Sequence, residues 1–197
     1  ACSEVEMIIG LTGRNASGKG TVADWLVARG FRYQSLSDAI RTWLREQGIE
    51  PSRDAMIAGG RALRGAGGPG VLAVRTLAGI AADEDVVVDS IRTPAEVLAL
   101  RQRTDFLLLE VFADERVRYQ RLAARARAGD ATSFDEFRRQ EHAELQSGDQ
   151  AAQQLVATAA LSDVVVPNDG NRAELETRLE SLLPVLRQSA AKGRKRA

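Results

Sequence analysis

The chain is poor in the residues that carry several common chemistries. Its 197 residues include one cysteine, Cys2, which cannot close a disulfide within the chain. That removes disulfide-scaffold folds and fits a reducing compartment. The only histidine, His142, has no partners at metal or triad spacing, so it reads as structural. Charge of one sign is also lacking: 27 basic residues balance 27 acidic ones. A neutral whole does not bind nucleic acid or a membrane surface by charge alone. No apolar run is long enough to span a bilayer, and no charged start leads into a signal-type apolar stretch. A cytoplasmic location is the expectation. Lysine is scarce as well, at three against 24 arginines. Lys192 and Lys195 lie near the C-terminus, which leaves Lys19 as the only lysine in the body of the chain.

What is present is a hydrophobic fraction of 44%, enough for a sizeable core in one α/β domain. Apolar runs alternate with helical patterns. Strands are expected at Met7 to Leu11, Phe31 to Leu36, Val86 to Asp89, Phe106 to Phe112 and Val164 to Val166. Helices are expected from about Lys19 to Ala28, Ser37 to Gln47 with Ser37 as N-cap, Arg53 to Arg64, Val71 to Ile80, and from Thr93, with Pro94 at the first position. Others run from Asp114 to about Arg127, from the capping box at Ser133 to about Leu145, from Gln150 to Ala160, and from Asn171 to about Arg187. Continuous apolar strands between helices imply a parallel sheet covered on both faces. The expected domain is 1–189, followed by a basic disordered tail at 190–197.

The segment Gly13-Arg14-Asn15-Ala16-Ser17-Gly18-Lys19-Gly20-Thr21 is G-x-x-x-x-G-K placed after a strand and before a helix. In that context it reads as a P-loop. Its glycines let the backbone wrap phosphates, with Asn15, Ala16, Ser17 and Gly18 offering N–H groups and the helix N-terminus adding partial positive charge. Lys19 would bridge the outer phosphates, which makes ATP the expected ligand. Asp89 ends the apolar strand Val86-Val87-Val88. It reads as a Walker B carboxylate holding Mg2+ through water, or else as an aspartate capping a turn.

Gly20 stands where most P-loops carry a magnesium-binding hydroxyl. Gly-Lys-Gly-Thr, with Thr21 able to bond a phosphate, resembles the adenylate kinases and related nucleoside monophosphate kinases. Ser37-Asp38-Ala39-Ile40-Arg41 is similar to the Gly-Asp-x-Leu-Arg element of that family, with Ser37 in place of the glycine. The resemblance covers about residues 7 to 186. It implies a sheet ordered 2-3-1-4-5, an acceptor-binding insertion at about 37–82 and a lid at about 125–145. It also makes Arg41 the clamp on an acceptor phosphate, with Asp38 placing the acceptor. Arg92 would project toward the acceptor from beside Asp89.

Arg61 and Arg64 lie one helical turn apart. They read equally as a flap over the acceptor, hinged by Gly65 to Gly70, or as a solvated face. In the monophosphate kinases the helix after strand four leads into an arginine-bearing lid. That assigns Arg121 and Arg127 to the phosphates, with Arg125 on the face of Arg121, and leaves Arg116 and Arg118 solvated. By the same resemblance, Asn168 borders the base of the donor nucleotide. Glu96 reads as a helix cap.

The reading is a kinase transferring the γ-phosphoryl group of ATP to a nucleoside or deoxynucleoside monophosphate, as a monomer or small homo-oligomer. Two alternatives stand beside it. One is transfer to a sugar hydroxyl, as in dephospho-coenzyme A kinases, with Asp38 as base. The other is an ATP-binding or ATPase regulatory module.

Overall fold

The computed structural model describes residues 6–125, 133–146 and 150–194. The chain opens with β1 (Ile8–Thr12), whose five residues are all buried, and passes through the glycine-rich loop into α1 (Lys19–Val27). Next come β2 (Arg32–Ser35), α2 (Leu36–Glu46), α3 (Arg53–Gly67) and α4 (Val71–Leu77). β3 (Val86–Asp89), α5 (Pro94–Leu100) and β4 (Phe106–Phe112) follow. The remainder is α6 (Glu115–Arg125), α7 (Phe134–Gln146), α8 (Gln150–Ala159), β5 (Val164–Pro167) and α9 (Arg172–Arg194).

The strands form one sheet in the order β2-β3-β1-β4-β5. Every pairing is parallel, so all C-terminal strand ends lie on one edge. The order matches the expectation. Alternation along β1 divides the core. Met7, Ile9 and Leu11 join Val22, Leu26, Leu175 and Leu179 under α1 and α9. Ile8 joins Ile40, Leu44, Leu72, Val97 and Leu100 under α2, α4 and α5. Gly10 faces this second layer, where an added Cβ would stand 2.6 Å from Ile91 Cδ1 and 2.7 Å from Phe106 Cε2. Burial of each large side chain contributes roughly 1.5–3 kcal/mol, so two filled faces hold the strand edge that carries the site.

Three local expectations are corrected. The N-cap of α2 is Ser35, two residues before Ser37: its hydroxyl accepts from Ser37 N, and Asp38 accepts from Ser35 N to close a capping box. β2 therefore runs straight into α2. Gly65 and Gly67 sit inside α3, so the expected hinge from Gly65 to Gly70 shortens to Gly68-Pro69-Gly70. The tail expected to be disordered from 190 is helical through Arg194, because Ala190 is buried in the core and Gly193 packs on the Thr104 carbonyl.

Candidate active site

The glycine-rich loop curls over the end of β1. Gly13 has φ 139°, and a Cβ there would lie 2.3 Å from the Val111 carbonyl. Gly18, the N-cap of α1, has φ 101°, and a Cβ there would meet Asn168 Nδ2 at 2.1 Å. Both positions need glycine for backbone conformation and for space. Ala16 also sits in the left-handed region, at φ 59°. Asn15 is exposed at the loop tip, where its side chain accepts from Arg125 at 3.5 Å.

Lys19 opens α1 and turns back over the loop. Its ammonium donates to the carbonyls of Gly13 at 2.7 Å and Arg14 at 3.0 Å. Burial holds its pKa below the ordinary lysine range, while Asp89 opposes that shift and Arg92 and Arg118 add to it. Asp89, Arg92 and Arg118 thus each lie within electrostatic reach of Lys19. Gly20 is exposed, with nothing near the place of a Cβ, and Thr21 is half-buried.

Asp89 is oriented on both oxygens. Oδ1 accepts from Ser90 N at 2.6 Å and Oδ2 from the Tyr33 hydroxyl at 3.3 Å. Ser90 has φ 67°, and its hydroxyl bonds that of Ser35 at 3.0 Å, which ties the ends of β2 and β3 together. Arg92 is exposed beyond this turn. Its backbone N–H and that of Thr93 donate to Glu96, a carboxylate only 1% exposed. Glu96 is the cap expected of it, and it also draws Arg64 into an ion pair at 3.5 Å. Arg61 remains exposed on α3. Arg41 pairs with Asp38 at 2.7 Å, which fixes both at the start of α2.

On the other flank, Arg121 donates to the carbonyls of Ala16, Ser17 and Asn168, at 3.4, 3.3 and 2.8 Å. Asn168, 6% exposed, donates its own Nδ2 to the Ser17 carbonyl at 2.8 Å. These bonds clamp the loop to the end of β5. Arg127 lies outside the described residues.

Arg118 is a correction. The charge pattern of α6 suggests solvation, yet the residue is 3% exposed. It forks onto both oxygens of Glu141, one at 2.7 Å, and donates Nε to the Ala113 carbonyl. The signal that could have exposed it is the Phe134/Phe137 pair on α7, which covers this part of α6. Sequence reading also missed Arg14, whose guanidinium reaches the same Glu141 at 3.2 Å.

A parallel sheet in this order, with a glycine loop leading from its central strand to a helix N-terminus, defines an α/β P-loop fold. TT1252 from Thermus thermophilus matches it with a TM-score of 0.58 at 22% identity, over 92% of this chain and 98% of that one. The shikimate kinase of Bacteroides thetaiotaomicron matches with a TM-score of 0.52 at 14% identity, over 90% and 98%. At such identities the likeness is one of fold. No protein-family model matches the chain. Among sequence relatives, the UPF0200 protein of Hyperthermus butylicus is 31% identical over 90% of this chain and 93% of its own length. That of Pyrobaculum aerophilum is 32% identical over 91% and 98%. The chain belongs to the UPF0200 family. The glycine-rich loop thus sits in a UPF0200 chain whose fold is shared with a shikimate kinase.

Proposed function

We propose that the protein transfers the γ-phosphoryl group of ATP to a small phosphorylated acceptor of the nucleoside monophosphate class. The observation that carries this reading is the convergence on Lys19 of Asp89 and Arg92, at the sheet edge where the glycine loop turns. Two features suit a polyphosphate chain: Gly13 and Gly18 hold the loop in left-handed conformations packed against the Val111 carbonyl and the Asn168 amide, and the buried Ser17 hydroxyl has no hydrogen-bond partner among the described residues.

In this reading the loop N–H groups and Lys19 bind the β- and γ-phosphates. Asp89, held by Ser90 and Tyr33, would hold magnesium through water. No cluster of three or more metal-ligating acids, histidines or cysteines occurs among the described residues, which suits an ion bound largely by phosphate and water. The metal's share is to neutralise charge between phosphates. Arg92 and Arg41 would orient the acceptor phosphate. Its oxygen attacks the γ-phosphorus while the bond to the β-bridging oxygen breaks. The acceptor is already anionic, so no general base is needed, and positioning with charge neutralisation is the whole task. Asp38 is already engaged as a cap and with Arg41, which weighs against the hydroxyl-acceptor reading that needs it as a base.

ADP formation from ATP, measured across ribo- and deoxynucleoside monophosphates and dephospho-coenzyme A, tests the proposal. Stimulation by one monophosphate is expected. Stimulation by dephospho-coenzyme A alone moves the assignment to a hydroxyl acceptor. Steady hydrolysis indifferent to every acceptor makes the protein an ATPase module.

A further inference from the structure

A helix that covers a phosphate site should present cations to it, yet the residue of α7 that reaches the glycine loop is an acid. Glu141 is bonded from two directions. Arg118 of α6 gives it a two-pronged grip, and Arg14 of the loop adds a third hydrogen bond at 3.2 Å. The Arg118 side chain is only 4% exposed and that of Glu141 15%. Desolvation works against the charge of Glu141, but the hydrogen bonds and charges of Arg118 and Arg14 outweigh it and hold its pKa below the usual range. A planar guanidinium fork accepts two carboxylate oxygens and two phosphate oxygens with the same geometry.

We infer that Arg14 and Arg118 form a phosphoryl-binding subsite on the β4 flank of the P-loop, in which the Glu141 carboxylate sits as an internal stand-in for phosphate. The inference rests on the P-loop binding a nucleotide, and it adds to that reading two arginines and their competitor.

Further features bear on it. A cleft of about 360 Å3 opens at this place, lined in part by Arg14 and Arg118 and by the acids Glu110, Asp114, Glu115 and Glu141. The Ser17 hydroxyl, on a residue 1% exposed, belongs to the lining and has no hydrogen-bond partner among the described residues, so a donor stands ready for an anionic oxygen. The Glu110 carboxyl has its pKa raised by burial, against the pull of Arg14. Arg118 also lies within electrostatic reach of Lys19 and adds to the lowering of its pKa, so an anion bound near both cations is favoured. When Glu141 withdraws, Arg118 loses its counter-charge in a buried place, which is costly unless another anion takes over. Anion binding and release of α7 are thereby linked.

The test is calorimetric titration with ATP, inorganic tripolyphosphate and a nucleoside monophosphate, each without a second substrate. Wild type is compared with Glu141→Gln and with the double variant Arg118→Met/Glu141→Gln. Removing the competitor is expected to tighten anion binding by about fivefold to tenfold, and the double variant to lose most of that gain. A gain with tripolyphosphate assigns the subsite to the donor chain, and a gain with the monophosphate assigns it to the acceptor. The inference is overturned if folded Glu141→Gln binds no anion more tightly than wild type, or if the gain survives whole without Arg118, since a charge effect at a distance would then suffice. Should Glu141→Gln fail to fold, Arg14→Met carries the test: about threefold weaker tripolyphosphate binding is expected, and unchanged binding overturns the subsite. Failure of wild type to bind ATP would count against the P-loop reading itself, separately from the Arg118 dependence.

Discussion

The side-chain amide of Asn168 donates to the backbone carbonyl of Ser17 at 2.8 Å, across 151 positions of sequence. This bond fastens the loop after β5 to the back of the phosphate cradle, and it passes through the space where a Gly18 side chain would be. Gly18→Ala is expected to break it and to force an alanine into φ 101°, at a cost of about 1–2 kcal/mol for the backbone alone. Asn168→Ala breaks the same bond without backbone strain. ATP affinity should fall in both variants and thermal stability mainly in the first. Equal ATP affinity in wild type and Asn168→Ala would mean that the clamp has no bearing on the loop.

Gly20 offers the reverse experiment. No described residue lies within 4 Å of its missing Cβ, so Gly20→Ser introduces a hydroxyl without a clash among them. Helix propensity favours the change by a few tenths of a kcal/mol. The magnesium concentration needed for half-maximal activity should drop, since the hydroxyl can replace one water on the ion. A titration of activity against magnesium decides it, and an unchanged midpoint would argue against metal beside Gly20.

Lys19 sets a pH limit. Its pKa in the folded chain is depressed below 10.5, so it loses its charge before an exposed lysine does as pH rises. The charged form is the one that burial disfavours. The associated cost in stability is therefore present at neutral pH and lifts as pH climbs from the folded value toward 10.5. Affinity for ATP should move the opposite way, declining on the alkaline side with a midpoint under 10.5. Lys19→Arg, which does not titrate there, should show no such decline, and Lys19→Ala should lose phosphoryl transfer at every pH. Wild-type affinity that stays level up to pH 10.5 would contradict the assignment.

Glu96 joins stability to the acceptor side. Removing its carboxylate leaves the N–H groups of Arg92 and Thr93 without an acceptor and Arg64 without its partner. Glu96→Ala should lower stability by about 1–3 kcal/mol, read from a denaturant midpoint. It should also raise KM for the acceptor more than KM for ATP, because Arg92 is the residue released. A uniform rise in both constants would reduce Glu96 to a structural cap.

The parallel sheet and the glycine-rich loop were legible because they rest on local grammar, while the order of the strands came from the resemblance to the monophosphate kinases. Apolar strands, two glycines at fixed spacing and a lysine at a helix start need no distant partner to be recognised. Arg118 was not legible, since its neighbours in sequence are charged and its burial comes from Phe137 and Glu141 on another helix. The α2 cap slipped by two residues for a related reason. Ser35 and Ser37 are both good caps, and the choice fell to Ser35 because its hydroxyl also meets Ser90 on β3. Arg64 read as a flap or a solvated residue until Glu96 supplied a tertiary partner.

The burial of Lys19 makes it an addressable nucleophile. Its two fellow lysines stand at positions 192 and 195 of the sequence, and Lys192 is on α9. An amine whose proton is loosened by its surroundings acylates at lower pH than its fellows. A limiting dose of an amine-directed ester near neutrality should mark this side chain ahead of the other lysines, and nucleotide should shield it. The body of the protein therefore carries a single chemical reporter of cradle occupancy, readable by mass shift on the unaltered chain.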